Sequence, residues 1–260
     1  MDPIRHERAG RTGYVTINRP PLNILTIAAM DRLAAAIIDL TERDPVDVMV
    51  IRAAGDRAFS AGADVAEHLP ELAPVMLSSF HRVARLLWST ETVSVAAVKG
   101  LALGGGMELA LCCDLVVASE NAEFGQPEIH VGSFPPIASV ILPQRVGRQV
   151  AADIVLTGRR LSGFEALALG LVSRLASPGA FEEELGSVIG ALERNSGPIT
   201  RHAVRALRAG RAEEFTRALD ASEAIYRDLL VLADAREGVE AFLQKRKPRW
   251  QSRPKETPER

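Results

Sequence analysis

The chain has 260 residues, of which 47% are hydrophobic and 25% charged, with a formal net charge of −2 at pH 7. That length is enough for one large buried core, and the small net charge offers no general attraction to nucleic acid or to acidic membranes. Residues 1–10 lack the apolar core of a signal peptide and no apolar run reaches the roughly 18 residues of a membrane helix, so we expect a cytoplasmic protein with neither membrane nor nucleic-acid partners.

In the first half of the chain, patterns typical of strands alternate with patterns typical of helices. The predicted strands cover residues 14–17, 46–52, 93–98, 114–119 and 122–124. Thr26 is expected to cap a helix that runs to residue 41, and a second helix over 70–88 is expected to break at Pro74. Residues 53–64 are rich in glycine and small side chains and predict a loop. This alternation predicts a parallel sheet with crossover helices, an α/β fold.

The second half of the chain is predicted to be mainly helical. Ser162 and Glu165 have the spacing of a capping box, which starts a short helix. Further helices are predicted over residues 180–194, 199–209, 212–232 and 234–245. The polar tail from Pro248 onward is expected to be loose. We therefore predict an α/β core over 1–195 and a helical C-terminal region over 196–260.

A triple glycine, Gly104 to Gly106, stands between the strand pattern 93–98 and a helix-competent segment. Glycines leave no side chain to pack, so they indicate a positive φ or a close approach to the backbone. The free N–H groups at the start of a helix favour an oxygen on which negative charge develops. Glu108 follows in the first helical turn, where a glutamate is also common simply because the helix dipole favours it.

Two other segments suggest a reactive site only in combination with this turn. Residues 58–64 are small and follow a buried strand, which by itself indicates no more than a tight connection. Glu128 follows Pro127 after the strand pattern 122–124, and alone it is an ordinary turn carboxylate. Because the strands before these segments should lie side by side, two backbone corners and two carboxylates are expected to converge. Such a group suits a polarised carbonyl with an acid and a base beside it.

Other chemistries find less support in the residues. No Gly-x-Ser-x-Gly elbow is present, and Ser60 has no context of a nucleophile. The five histidines are scattered without metal-ligand spacing, and no G-x-G-x-x-G follows the first strand. We expect neither a metal nor a redox cofactor. Adjacent Cys112 and Cys113 are expected to be core thiols of a reducing compartment.

Three segments in order, Phe59-Ser60-Ala61-Gly62-Ala63-Asp64, residues 102–110 and Phe124-Gly125-Gln126-Pro127-Glu128, resemble signatures of the crotonase superfamily, the enoyl-CoA hydratase/isomerase family. Asn18-Arg19-Pro20 and residues 242–248 also fit, so the resemblance covers nearly the whole chain. It implies the ClpP/crotonase-like fold of repeated ββα turns with a helical C-terminal trimerisation region. It also implies an acyl-CoA thioester substrate, no cofactor beyond that CoA, and a homo-oligomer that is a trimer or a dimer of trimers.

The resemblance assigns roles by position. The N–H groups of Ala63 and Gly105 would form an oxyanion hole for the thioester carbonyl. Glu128 would supply a proton to carbon, while Glu108 would orient and deprotonate the water. The further positions implied to contact substrate are Ala61, Asp64, Val65, Gly104, Phe134 and Lys245. Asp64 is expected to order its loop rather than to act in catalysis.

The residues after Glu128 depart from the common family pattern. Where ordinary hydratases have a glycine-rich segment of the Pro-Gly-Ala-Gly-Gly type, this chain has Phe134-Pro135-Pro136. That departure resembles the branch that hydrates cyclohexa-1,5-diene-1-carbonyl-CoA, although prolines are also favoured at helix starts. Linear enoyl-CoA hydration, another crotonase reaction such as isomerisation or hydrolysis, and a catalytically idle binding protein remain open alternatives. His68 and His81 could line the acyl pocket, but a polar or half-buried helix position is expected for each.

Overall fold

Two sheets and nine α-helices form the part of the chain described by the computed structural model, residues 2–251. The strands are β1 (Ile4–Ala9), β2 (Thr12–Ile17), β3 (Val48–Ala53), β4 (Ala58–Ser60), β5 (Val93–Val98), β6 (Leu101–Leu103), β7 (Leu115–Ser119), β8 (Glu123–Gly125), β9 (Arg160–Ser162) and β10 (Arg174–Ala176). The larger sheet has the order β1-β2-β3-β5-β7-β10 and the smaller one β4-β6-β8-β9. Only the pairs β1–β2 and β8–β9 are antiparallel, so both sheets are mainly parallel.

The helices connect the strands and then extend the chain beyond the sheets. They are α1 (Ile27–Ile38), α2 (Ala73–Ser89), α3 (Gly105–Cys112), α4 (Pro136–Thr157), α5 (Gly163–Ala168), α6 (Phe181–Glu193), α7 (Gly197–Arg208), α8 (Arg211–Leu229) and α9 (Ala233–Leu243). Short 3-10 turns cover Val65–His68 and Pro127–Val131. Within residues 2–251, no helix combines the length and apolarity that crossing a membrane requires.

Both faces of the larger sheet are covered. Every residue of β5 is buried, as expected for a central parallel strand between two helical layers. On one face Val48, Val95 and Val117 pack with Phe181 of α6. The other face belongs to the main core, which includes helices α1, α2 and α3 and both cysteines, Cys112 and Cys113.

The smaller sheet is the element that positions the site. Its neighbouring parallel strands β4, β6 and β8 have only three residues each. Their carboxyl ends lead directly into 61–64, Gly104 and Gln126 respectively. The three segments singled out in the sequence therefore leave one sheet edge together.

Several local expectations are confirmed. The strand at 93–98 has the predicted bounds, and the side chain of Thr26 accepts a hydrogen bond from the N–H of Ala29 at 3.3 Å. Ser162 caps α5 by accepting from the N–H of Glu165 at 3.2 Å, but the Glu165 carboxylate binds Arg159 at 2.7 Å instead of completing the box. The α/β class is confirmed, because helices alternate with the strands of two mainly parallel sheets.

Other expectations were wrong. Residues 53–64 are not only loop, because β4 lies within them. Pro74 does not break α2, because it lies in the first turn of that helix, where a backbone N–H would have no partner in the helix. The strands β1, β6, β9 and β10 and the long helix α4 were not anticipated. β1 has only one buried residue, so its apolar alternation is too weak to see. The tail from Pro248 onward, which was predicted to be loose, lies partly outside the described residues, which end at Gln251.

Candidate active site

The turn after β4 presents a backbone N–H with no internal partner. Leu25 donates its N–H to Gly62 at 2.9 Å and accepts from the N–H of Asp64 at 3.1 Å. Ala63 lies between these bonds, so its own N–H points away from Leu25 and has no acceptor among residues 2–251. The Asp64 carboxylate accepts from the N–H of Ala66 at 3.0 Å, which orders the loop as predicted.

The turn after β6 presents a second N–H group. Gly104 has φ 52° and ψ −127°, a conformation that requires glycine, and its N–H donates to the carbonyl of Gly125 at 2.8 Å. Gly105 then begins α3, and in the described chain its N–H has no acceptor. A Cβ placed on Gly105 would lie 3.4 Å from the nitrogen of Ala63, so the two uncommitted N–H groups are neighbours. A Cβ on Gly106 would lie 2.2 Å from the carbonyl oxygen of Ser60. Because glycine has no Cβ, α3 can start this close to β4.

Glu108 occupies the first turn of α3 and is only 3% exposed. Its Oε1 accepts a hydrogen bond from the N–H of Ala138 at 2.8 Å, at the start of α4. Burial raises the pKa of Glu108 to about 7, although the N–H groups of Ala138 and Ile137 act against this rise. A carboxyl with that pKa changes protonation near neutral pH, which suits a general base.

Glu128 lies on the 3-10 turn after β8, beside the glycine turn. With its amide nitrogen turned toward the carboxylate, the fully buried Gln126 donates to Oε2 at 3.1 Å and to Oε1 at 3.2 Å. Burial raises the pKa of Glu128 well above its ordinary value, and the nearby charge of Glu108 raises it further. Two neighbouring carboxyl groups resist being ionised together, so when Glu108 is ionised its charge favours the protonated form of Glu128.

Both backbone corners and both glutamates border one cavity of about 500 Å³. The rest of its wall is largely apolar and comes from α2, from the segment before α4, and from α8; it includes Met76, Leu77, Phe80, Phe134, Pro135, Pro136 and Tyr226. The rings of Phe134 and Tyr226 are 5.3 Å apart at an angle of 52°. Ser133 donates its hydroxyl to the Tyr226 oxygen at 2.8 Å, which holds that ring in place.

The structure brings most of the predicted site residues to this cavity. Those that line it are Ala61, Ala63, Val65, Gly104, Gly105, Glu108, Glu128 and Phe134. Asp64 is not part of the cavity lining. Lys245 is exposed and is not part of the lining either, whereas its neighbour Arg246 belongs to the cavity wall. His68 and His81 both line the cavity, and His81 is completely buried, so the expectation of an ordinary half-buried position was wrong for His81.

Sequence reasoning assigned no role to Gln126 or Tyr226. Gln126 lies inside the segment 124–128, and its position two residues before Glu128 is the only feature of the sequence that indicates a role for it. Tyr226 is 93 residues from its partner Ser133, and no local pattern indicates that contact. Among residues 2–251, no three side chains of His, Cys, Asp or Glu gather as a metal site.

Comparisons with known proteins agree with this geometry. A model of the family described as enoyl-CoA hydratase/isomerase matches residues 7–253. The chain is 35% identical to the cyclohexa-1,5-dienecarbonyl-CoA hydratase of Thauera aromatica over 254 residues, covering 95% of both chains. It is 37% identical to a probable enoyl-CoA hydratase of Rhizobium meliloti over 253 residues, covering 95% of this chain and 97% of the relative. A crystal structure of an enoyl-CoA hydratase from Mycobacterium avium subsp. paratuberculosis superposes with a TM-score of 0.86 at 32% identity, covering 95% and 98% of the two chains.

Proposed function

The chain belongs to the enoyl-CoA hydratase/isomerase family, and we propose that it adds water to the conjugated double bond of an α,β-unsaturated acyl-CoA thioester at this site. The observation that carries the proposal is the pair Glu108 and Glu128, one buried and one half-buried carboxyl that line the same cavity and both have a raised pKa. Beside them lie the two uncommitted N–H groups of Ala63 and Gly105. An idle binding protein would have no chemical use for both carboxyls.

The N–H groups of Ala63 and Gly105 bind the thioester carbonyl oxygen. Negative charge grows on that oxygen as water adds to the conjugated system, so donors already in place stabilise the transition state more than the ground state. One such donor typically contributes about 3–4 kcal/mol. The start of α3 adds the positive end of its dipole at Gly105.

The two glutamates divide the proton transfers. Glu108 takes a proton from water as the oxygen bonds to the carbon β to the thioester. Protonated Glu128 gives its proton to another carbon of the conjugated system, and the electron pair of the double bond forms that C–H bond. At the end of the step Glu108 holds the proton taken from water and Glu128 is ionised, and proton exchange with bulk water restores both groups. Burial and the charge of Glu108 both raise the pKa of Glu128, which supports its assignment as the acid.

For the acyl group we propose a cyclic diene, cyclohexa-1,5-diene-1-carbonyl-CoA. Water would add 1,4 across the diene and give 6-hydroxycyclohex-1-ene-1-carbonyl-CoA. Phe134 and the two prolines after it support a ring, because they add bulky apolar side chains to the wall of the cavity that Glu128 also lines. The 35% identical relative from Thauera aromatica supports it independently. The relative from Rhizobium meliloti favours the second candidate, hydration of a linear enoyl-CoA.

We also propose that the chain works in the cytoplasm as a homotrimer or as a dimer of trimers. Its C-terminal helices and their ends expose large apolar side chains, which a second copy would cover: Ile225, Val231, Leu232, Phe242 and Leu243. Sedimentation of the purified protein tests this assembly, and a monomer would contradict it.

One assay decides between the catalytic alternatives. The protein is incubated with crotonyl-CoA and with cyclohexa-1,5-diene-1-carbonyl-CoA, and loss of the conjugated thioester absorbance is followed. We expect faster hydration of the cyclic diene. Turnover of crotonyl-CoA alone would remove the ring proposal, and turnover of neither would remove the hydratase proposal.

A further inference from the structure

The first turn of α4 depends on a carboxylate from another helix. The helix begins at Pro136, and the residue before it, Pro135, has no polar side chain that could cap it. Ala138 is fully buried, so its N–H, which has no acceptor inside the helix, needs one from elsewhere in the molecule. Oε1 of Glu108 on α3 provides it at 2.8 Å. The proposed base of the reaction is therefore also the cap of α4, and its orientation depends on where this first turn lies.

Helix α8 fixes the position of that turn through two buried hydrogen bonds. Ser222 donates its hydroxyl to the carbonyl oxygen of Pro136 at 3.1 Å. One helical turn further along α8, the hydroxyl oxygen of Tyr226 accepts from the hydroxyl of Ser133 at 2.8 Å. Within the described chain Ser222 does not line the cavity, so it can affect the site only through the turn that it holds.

The titratable groups that face Glu108 come from three elements. Glu128 approaches from the 3-10 turn after β8, Cys112 belongs to the same helix α3, and Tyr226 belongs to α8. Burial raises the pKa of Cys112 and of Tyr226 to about 12, so both are neutral near pH 7 and Glu128 is the neighbour whose charge can change there. Burial also raises the pKa of Glu108, and the N–H of Ala138 acts in the opposite direction. The bond from α4 therefore favours the ionised form of Glu108.

We propose that Ser222 is a positioning residue: by fixing the first turn of α4, it holds the N–H of Ala138 against the carboxylate of Glu108. Its part in catalysis rests on the proposed hydration, in which Glu108 takes the proton from water. Without the Ser222 hydroxyl the turn is held less firmly, and the N–H···O bond to Glu108 becomes longer or less straight. Such a bond stabilises the carboxylate less, so Glu108 keeps its proton to higher pH.

Direct titration of Glu108 tests this role without any turnover. Protein with ¹³C at the glutamate carboxyl carbons is titrated by NMR in the Glu128→Gln background, where Glu108 ionises without its coupled neighbour. The resonance of Glu108 is the one that disappears in the double variant Glu108→Gln/Glu128→Gln. We expect Ser222→Ala in this background to raise the midpoint of Glu108 by about half a pH unit or more, since part of one hydrogen bond to a charged group is lost. In the Ser222→Ala single variant, the rising limb of kcat/KM should move in the same direction.

Two further variants separate positioning from packing. Ser119→Ala is the matched control, because Ser119 is also buried but its hydroxyl has no partner among residues 2–251, and the midpoint should not move. Ser222→Cys keeps the size of the side chain but offers only a weak donor, so the midpoint should rise even if Ser222→Ala does not fold. An unmoved midpoint in a folded Ser222 variant, or an equal shift in Ser119→Ala, would overturn the inference. Because the midpoint is measured without substrate, failure to hydrate either thioester removes the proposed function and leaves this result separate.

Discussion

A Cβ atom placed on Gly104 would lie 2.6 Å from Oε1 of Glu128, so the glycine turn and the second glutamate are in direct contact. The sequence indicated a turn that exposes backbone N–H groups, and the structure adds that the same turn packs against the carboxylate of Glu128. The proposed oxyanion hole and the proposed proton donor are thereby held at one fixed separation. Five predictions follow from this arrangement and from the groups around it.

Gly104→Ala should abolish most hydration. The new methyl group would displace the carboxylate of Glu128, and the backbone conformation at φ 52° disfavours any side chain. We expect kcat to fall at least tenfold, with a stability loss of about 1–3 kcal/mol. Gly170→Ala is the matched control, because Gly170 also has a positive φ, 73°, but no atom within 4 Å of the added Cβ. It should lose stability and keep its activity; equal activity losses in the two variants would contradict the contact argument.

Glu108→Gln and Glu128→Gln should each lower kcat by about 10²–10⁴-fold, because each removes one proton-transfer group. Binding of a non-reactive acyl-CoA should stay near the wild-type value, since the amide keeps the shape of the side chain. Glu120→Gln is the control, because Glu120 is exposed on the turn between β7 and β8. Stopped-flow kinetics and calorimetry measure the two quantities, and a wild-type rate in either variant would refute the role assigned to that glutamate.

The pH profile should be bell-shaped. Glu108 must lose its proton to act as base, so kcat/KM should rise as the pH increases through about 7. Glu128 must keep its proton to act as acid, and its pKa is raised well above the ordinary value, so kcat/KM should fall only at higher pH. Residual activity of Glu108→Gln should lose the rising limb and keep the falling one, moved to lower pH because the charge of Glu108 no longer raises the pKa of Glu128. A profile in which both limbs survive that substitution would assign the base elsewhere.

Gln126→Leu should change the behaviour of Glu128 without touching substrate directly. The amide donates to both carboxylate oxygens, at 3.1 and 3.2 Å, and so favours the ionised form and fixes its orientation. We expect kcat to fall about tenfold or more, as for a lost hydrogen bond to a charged group, and the falling limb of the pH profile to move to higher pH. The exposed Gln149 supplies the control Gln149→Leu. A rate loss with an unmoved limb would indicate a merely structural role.

Phe134→Ala should weaken the preference for a ring. Its aromatic ring packs 5.3 Å from Tyr226 and forms part of the acyl wall, so its removal opens space that a flat ring no longer fills. We expect the ratio of kcat/KM for the cyclic diene to that for crotonyl-CoA to fall about tenfold, the value of one aromatic contact and its packing. Phe164→Ala, at a side chain that is 59% exposed, should leave this ratio unchanged. An unaltered ratio in Phe134→Ala would show that the segment only begins α4.

The sequence alone determined the features that depend on neighbouring residues. The apolar run 93–98 indicated its strand and Thr26 indicated its cap. The segments that contain Gly105, Glu108 and Glu128 resembled signatures of the family, and that resemblance indicated the site. These signals are local because backbone propensity, capping and turn chemistry act over a few residues. They were sufficient to place both glutamates at one cavity.

Only the tertiary structure decided how that cavity is completed. The three-residue strands β4, β6 and β8 are too short to show a period, and they exist because they pair with one another. His81 meets Glu223 across 142 residues of sequence, and Ser133 meets Tyr226 across 93. Such contacts depend on how α2 and α8 pack around the same space, and burial then changes the protonation of the groups enclosed. The shape and polarity of the cavity are therefore properties of the packed molecule, whereas the two carboxyl groups that line it could be predicted from the sequence.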